Sequence, residues 1–360
     1  PQDSWNSGTM RYAREISLEL DVQRSHNCYY VSRKDNYQKS SFLKKKIDFP
    51  LWKSKSKKDF QEDSSYFFPS IGVVFPKELK GKLNFDFFVT IYDLIPLLYP
   101  EYCTIEFNVR FRELLQSYVT EEQIHFFCIS ENTKKDFCSL TGINPNKVTI
   151  TLLAADKEKF YVCQSKDKLQ EIRETYNIGN SPYFLYLSRF EQRKNHKLLF
   201  QAFLLFIRKH PDSKVKLILL GRFFDRILIK DLVDFILKEE LEKHIYISWF
   251  AKEKDLASLM SNCLSFLYPS LYEGFGLPAL EAMQCGAPII ASNTSSMPEV
   301  IGDAGILLPP NNELLWMQAM ERVYESKKLQ QELSEKSLER ASLFSWKKTV
   351  SKMLETFESK

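Results

Sequence analysis

The stretch LYPSLYEGFGLPALEAMQCG, Leu267 to Gly286, sets two glutamates eight positions apart with two glycines, a phenylalanine and a proline between them. The apolar run Leu264 to Tyr268 before it reads as a strand, and Pro278 suits the first position of a helix, where a missing N–H costs nothing. Cys285 and Gly286 close that helix, Gly286 being a natural left-handed cap. Glu273 then lies on a strand-to-helix loop and Glu281 on the first turn of the helix. Glycines let a ligand approach the main chain, and the helix start, carrying about half a positive charge, favours phosphate. A carboxylate on each side of that phosphate, each bonded to hydroxyls, suits a ligand with a sugar at both ends of a diphosphate: a nucleotide sugar. Spacing alone leaves a second reading open, in which Glu281 is an ordinary first-turn acid and the glycines only turn the chain.

Outward from this stretch, short β-branched and aromatic runs alternate with helical patterns, the signature of doubly wound α/β structure with parallel strands. The runs predict strands at 86–91, 124–129 and 147–152 in the first half, and at 183–187, 214–220, 244–248, 264–268, 288–291 and 305–308 in the second. Amphipathic spacing predicts helices at 197–209, 230–241, 255–262 and 278–284. At 360 residues the chain exceeds one hydrophobic core. The expected organisation is a Rossmann-like domain over 1–160, a charged linker over 161–181 with a helix near 166–176, a second Rossmann-like domain over 182–343, and a helix over 344–360 that returns to the first. Closure about the segment 156–181 is expected, since an acceptor half must reach a sugar held by the other.

Composition excludes several classes. With 44% hydrophobic and 27% charged residues the chain reads as globular, and a net charge of +4 is too small to imply nucleic acid. Seven scattered cysteines, an odd number without a C-x-x-C pair, read as reduced thiols of a cytoplasmic protein. No run of about 18 apolar residues occurs. The segment 33–58 holds ten Lys/Arg against two Asp, interleaved with Tyr37, Phe42, Phe49 and Trp52. It is either a solvated loop or a peripheral contact with an anionic inner-membrane surface. No D-x-D triplet and no histidine cluster is present, so no metal is expected, and no cofactor.

The segment EGFGLPALE resembles the E-x7-E signature of the retaining glycosyltransferases of family 4, which have the GT-B fold. The flanks YPSLY, EAMQCGAPIIAS and SSMPEVIGDAGILLPP extend the likeness, which is best with bacterial O-antigen and surface-polysaccharide mannosyl- or glucosyltransferases. The resemblance implies that Glu281 holds the ribose hydroxyls, Glu273 the donor sugar, and the backbone of Gly274, Phe275, Gly276 and Leu277 the sugar and phosphates. LSRFEQRKNHKLL resembles the family's Gly-Arg…Lys-Asn segment, with Ser188 for the usual glycine, and implies that Arg189 and Lys194 meet the diphosphate. NSGTMRYAREI resembles the opening glycine turn and helix, with Gly8 facing the phosphate. A strand ordinarily precedes that turn, so upstream sequence is expected to be missing. Where many relatives have His-Asp this chain has Tyr92-Asp93, an acceptor-side candidate with Ser130, although Tyr92 reads equally as a buried structural tyrosine.

The implied function is retaining, metal-independent transfer of a hexose from GDP-mannose or a UDP-hexose to a glycan or lipid-linked glycan. The implied mechanism is front-face substitution. Two other readings share the residues: a sugar-nucleotide 2-epimerase of the same fold, which would need cleft acids and a histidine that cannot be placed, and a non-catalytic sugar-nucleotide-binding subunit.

Overall fold

The computed structural model describes residues 8–23, 29–30, 65–72, 75, 80, 86–222, 225–249 and 251–359. The basic segment 33–58, Phe223 and Phe250 lie outside them. The chain divides into two units, one made of residues 1–153 and 346–360, the other of 154–345.

The first unit is built on α1 (Gly8–Gln23), β1 (Tyr29–Tyr30), β2 (Ser65–Phe68), β3 (Asp86–Ile91), α2 (Ile95–Leu98), α3 (Ile105–Val119), β4 (Ile124–Cys128), α4 (Glu131–Thr141) and β5 (Val148–Ile150). The five strands lie in sequence order and pair in parallel, with Val89 opposite Phe126 and Phe126 opposite Val148. DFFVTI and IHFFC are buried almost throughout, as strands covered on both faces must be. Phe75 meets Phe87 edge to face at 5.1 Å, and Phe126 lies 4.7 Å from Phe137, an aromatic core that stabilises through both area and ring geometry.

The second unit contains α5 (Lys166–Thr175), β6 (Tyr183–Leu187), α6 (His196–Lys209), β7 (Lys216–Leu220), α7 (Arg226–Lys238), β8 (Ile245–Ser248), α8 (Glu253–Ser261), β9 (Ser265–Tyr268), α9 (Leu277–Gln284), β10 (Ile289–Ser292), α10 (Met297–Ile301), β11 (Gly305–Leu308), α11 (Glu313–Glu325) and α12 (Lys327–Ser342). Its six parallel strands run in the order β11-β10-β9-β6-β7-β8. The order therefore reverses between β6 and β9, which are hydrogen-bonded neighbours. Open α/β sheets bind ligands outside the carboxyl ends of the strands at such a switch point.

The last helix, α13 (Trp346–Glu358), belongs to the first unit. Its Val350, Met353, Leu354 and Phe357, spaced three and four apart, are buried there. Phe357 lies 4.5 Å from Phe88 and 5.7 Å from Phe127, and the Thr349 hydroxyl donates to the Leu152 carbonyl.

The segment 161–181, read from its charge as a linker, is tied into the second unit. Lys168 Nζ lies 2.5 Å from Asp255 Oδ1, and the Tyr176 hydroxyl donates to Asp255 Oδ2 at 2.9 Å. Both bonds hold α5 to α8, and the unit begins at Ala154. The helix expected at 230–241 starts earlier, at Arg226, because Asp225 caps it by accepting from the N–H groups of Ile227 and Leu228.

Candidate active site

Two loops leave neighbouring strands at the switch point, 188–195 after β6 and 269–276 after β9. The first carries a single helical turn over Gln192–Lys194 and ends at Asn195, whose left-handed backbone (φ 57°) starts α6. The two loops are stitched together by main-chain and side-chain bonds. Leu271 N–H donates to the Arg193 carbonyl at 2.9 Å, Asn195 Nδ2 to the Pro269 carbonyl at 3.2 Å, and Arg193 Nη1 to the Tyr272 carbonyl. From the third side, Glu273 N–H donates to Ser295 Oγ at 2.9 Å and Ser296 Oγ donates to the Glu273 carbonyl at 3.0 Å.

This framework delivers Glu273 to two cations. Its Oε1 accepts from Lys194 Nζ and lies 3.3 Å from Arg193 Nη1, while Arg193 Nη2 lies 2.6 Å from Glu191 Oε1. Glu273, Arg193 and Lys194 are all less than 10% exposed. Burial alone would raise the Glu273 carboxyl, but Lys194 and Arg193 outweigh it and bring it down to about 2. Burial, reinforced by the Arg193 charge, depresses the Lys194 ammonium, and Glu273 offsets only part of that. Under the cluster the Tyr268 hydroxyl stands 3.5 Å from Lys194 Nζ, and the Tyr186 hydroxyl donates to the Lys194 carbonyl at 2.6 Å.

Gly276 ends the second loop with φ 92°, a backbone that L side chains rarely adopt, and a Cβ there would lie 2.0 Å from Met297 Cε. Because Gly276 caps the helix, α9 begins at Leu277 rather than at Pro278. Glu281 is accordingly in the second turn, not the first, and its side chain is buried at 3% exposure. Past the C-cap Cys285, Gly286 adopts φ 75°. The Phe275 ring turns inward onto Phe344 at 5.9 Å, so Phe275 can meet a ligand only through its backbone. At the start of α9 Pro278 carries no N–H, and the Ala279 and Leu280 N–H groups donate to the Gly276 carbonyl at 2.9 and 3.4 Å, so any main-chain contact with a ligand falls to the loop that leads into the helix.

Arg189 is placed differently from Lys194. Its side chain is 55% exposed, and its Nη2 lies 3.7 Å from Glu191 Oε1. The cation that reaches Glu273 beside Lys194 is Arg193, a residue the sequence reading did not choose. The signal lay in burial, since an arginine on a polar loop looks solvated until the loop is seen folded onto its neighbour.

The remaining candidates belong to the first unit. Gly8 is the first residue of α1. The Tyr92 hydroxyl donates to the Pro69 carbonyl at 2.7 Å, and the Tyr92 ring meets Tyr12 edge to face at 5.4 Å. Asp93 Oδ1 accepts from Ile95 N–H at 3.1 Å and so opens α2. Ser130, fully buried, caps α4 by accepting from Thr133 N–H at 2.9 Å. Asp93 and Ser130 thus shape their own loops, while Tyr92 ties the end of β3 to the segment after β2.

Among the described residues, one group of three could hold a metal ion: His210, Glu321 and Glu325. His210 follows the last residue of α6, the helix whose first residues adjoin Lys194, so the group lies about 20 Å from the loops described above. Among the described residues no helix is long and apolar enough to cross a membrane.

Known proteins similar to this chain include glycosyltransferases. Residues 168–340 match the family described as "Glycosyl transferases group 1". The O-antigen chain mannosyltransferase B of Escherichia coli is 30% identical over 228 residues, 62% of this chain and 57% of that protein. The matched segments make up between 31% and 60% of the curated relatives. Among solved structures, a glycosyltransferase from Rickettsia africae superposes with a TM-score of 0.72 at 17% identity, covering 99% of this chain and 96% of that one. Alr3699/HepE of Anabaena, solved with UDP and glucose, gives 0.68 at 18% identity over 82% and 78%. Residues 168–340 thus resemble the glycosyl transferases of group 1, in a chain that has the GT-B fold.

Proposed function

We propose that this chain is a glycosyltransferase that moves a hexose from a nucleotide sugar to a glycan or lipid-linked glycan in the synthesis of an O-antigen or related surface polysaccharide, at the cytoplasmic side. The observation that carries the reading is the buried Lys194–Glu273–Arg193 cluster at the switch point, followed by the glycine-capped start of α9 and by Glu281. In this reading the diphosphate rests on the backbone of Gly274 to Leu277, the segment that leads into α9, with Lys194 and Arg189 as its cations. Glu273 bonds hydroxyls of the transferred sugar and Glu281 those of the ribose.

Departure of the nucleotide leaves negative charge on the diphosphate, and preorganised cations and N–H dipoles hold that charge better as the anomeric C–O bond breaks. Those groups supply the neutralisation that a metal supplies elsewhere, so transfer is metal-independent. Retention follows if the acceptor hydroxyl attacks on the leaving-group face with a phosphate oxygen taking its proton. The mannosyltransferase relatives favour GDP-mannose as donor, and the UDP seen with HepE favours a UDP-hexose.

Thermal-shift measurements with GDP-mannose, UDP-glucose and UDP-N-acetylglucosamine test the reading, because a specific donor stabilises by RT ln(1 + [L]/Kd). One of the three is expected to raise the midpoint and to be hydrolysed slowly by the purified protein without acceptor. A midpoint indifferent to all three sinks the assignment, and binding without hydrolysis or transfer would instead indicate a binding subunit.

A further inference from the structure

The two cations on Glu273 are held in different ways. Arg193 is fixed on three sides, by Glu273, by Glu191 Oε1 at 2.6 Å and by the Tyr272 carbonyl, and its own carbonyl accepts from Leu271 N–H. Its planar fork satisfies these partners at once and cannot leave one without disturbing the rest. Lys194 Nζ, by contrast, is held by Glu273 and by the Tyr268 hydroxyl at 3.5 Å, at the end of a flexible four-carbon stem. An arriving diphosphate therefore competes for Lys194 far more readily than for Arg193.

We propose that Arg193 is a positioning residue that keeps Glu273 ionised and in place while Lys194 is handed from Glu273 to the diphosphate of the donor. The proposal rests on the donor-binding reading given above. It gives the doubled cation a purpose. Lys194 and Arg193 share one carboxylate oxygen of Glu273, so neither the carboxylate nor the ammonium is buried alone. On donor binding the ammonium exchanges one anion for another, and Arg193 remains to prevent a buried carboxylate from taking up a proton. The charged and titratable groups facing this exchange are Arg193, Lys194 and Glu191 from the loop after β6, Tyr186 and Tyr268 from the two strands, and His196 at the start of α6. The tyrosines are held neutral by burial, and burial with the Lys194 charge brings His196 down to about 3, so Glu273 is the group whose proton count the exchange can change.

Calorimetric titration with UDP and with GDP, run at pH 5 in two buffers of different ionisation enthalpy, counts protons taken up on binding. The difference between variant and wild type at one pH cancels the nucleotide's own ionisation. Arg193→Gln is expected to take up about one proton more than wild type, because Glu273 loses its last cation when Lys194 leaves. Arg193→Lys, which keeps the charge, is expected to restore the wild-type count. If Arg193→Gln binds nucleotide with an unchanged count, Lys194 does not leave Glu273; the hand-off is then wrong while the transferase reading stands. If wild type binds neither nucleotide, the functional reading falls and takes the hand-off with it. Should Arg193→Gln fail to fold, Lys194→Gln asks the same question without ligand. Arg193 alone must then keep Glu273 ionised, so the variant's thermal midpoint should change between pH 7 and pH 5 no more than that of wild type; a steeper acid loss overturns the anchoring role.

Discussion

Gly276 carries two constraints at one residue, a backbone in the left-handed region and a methyl group of Met297 where its own Cβ would stand. Gly276→Ala should therefore destabilise by roughly 2–4 kcal/mol, combining backbone strain with overpacking. Gly142, at φ 73° with nothing within 4 Å, is the control, and its alanine variant should lose only about 1–2 kcal/mol. Urea midpoints at equal slope compare the two. Gly221 faces a harder limit, since a Cβ there would sit 1.6 Å from the Ser188 carbonyl oxygen, which belongs to the backbone and cannot swing aside. At the carboxylates, Glu281→Ala should weaken nucleoside-diphosphate binding by roughly 10- to 100-fold, the worth of a charged hydrogen bond. Glu273→Ala should leave that affinity closer to wild type and lower turnover instead. Equal nucleotide affinity in wild type and Glu281→Ala would remove the ribose contact from consideration.

Between β6 and α6 the chain places His196 at the first helical position, buried, stacked on Phe190 with ring centroids 4.6 Å apart, and beside Lys194. Burial and that neighbouring charge bring its imidazole down to about 3, below the value of about 6.5 that it has when unfolded. On acidification the unfolded chain takes up this proton first. The stability His196 confers is thus complete above pH 6.5 and is lost as pH falls toward 3, with a slope of up to about 1.4 kcal/mol per pH unit. His196→Leu is expected to flatten the stability profile between pH 6.5 and 5, and denaturant melts across that range would show it. Elements like β6 were legible beforehand because a buried parallel strand writes itself as an unbroken apolar run, and YFLYL keeps its predicted bounds. So were the loop bearing Glu273 and the helix bearing Glu281. By contrast, α3 was missed, since Ile105, Phe107 and Val109 are exposed at its start and blur the helical stripe that Thr104 caps. Arg193 was not chosen because charge pattern cannot say which of three nearby cations a folded loop will bury.

At the scale of the molecule, the chain leaves the first unit after Leu153 and re-enters it at Trp346. The core of that unit includes Phe357, wedged against Phe88 and Phe127, and Met353, whose sulfur accepts from the Tyr12 hydroxyl at 3.9 Å. Phe357→Ala should cost about 3 kcal/mol, and deletion of residues 346–360 should abolish slow hydrogen exchange in β3 and β4 while β6 and β9 stay protected. Protection of β3 that survives the deletion would show that α13 is dispensable. This threading also orders events at the ribosome. Every residue of the second unit is translated before α13, so the sheet made first must wait, with the flank of Phe88 and Phe127 uncovered, until the unit made second has already emerged and can fold. The usual N-terminus-first sequence is inverted, and the nascent chain presents a sticky aromatic surface to chaperones for as long as the intervening domain takes to synthesise.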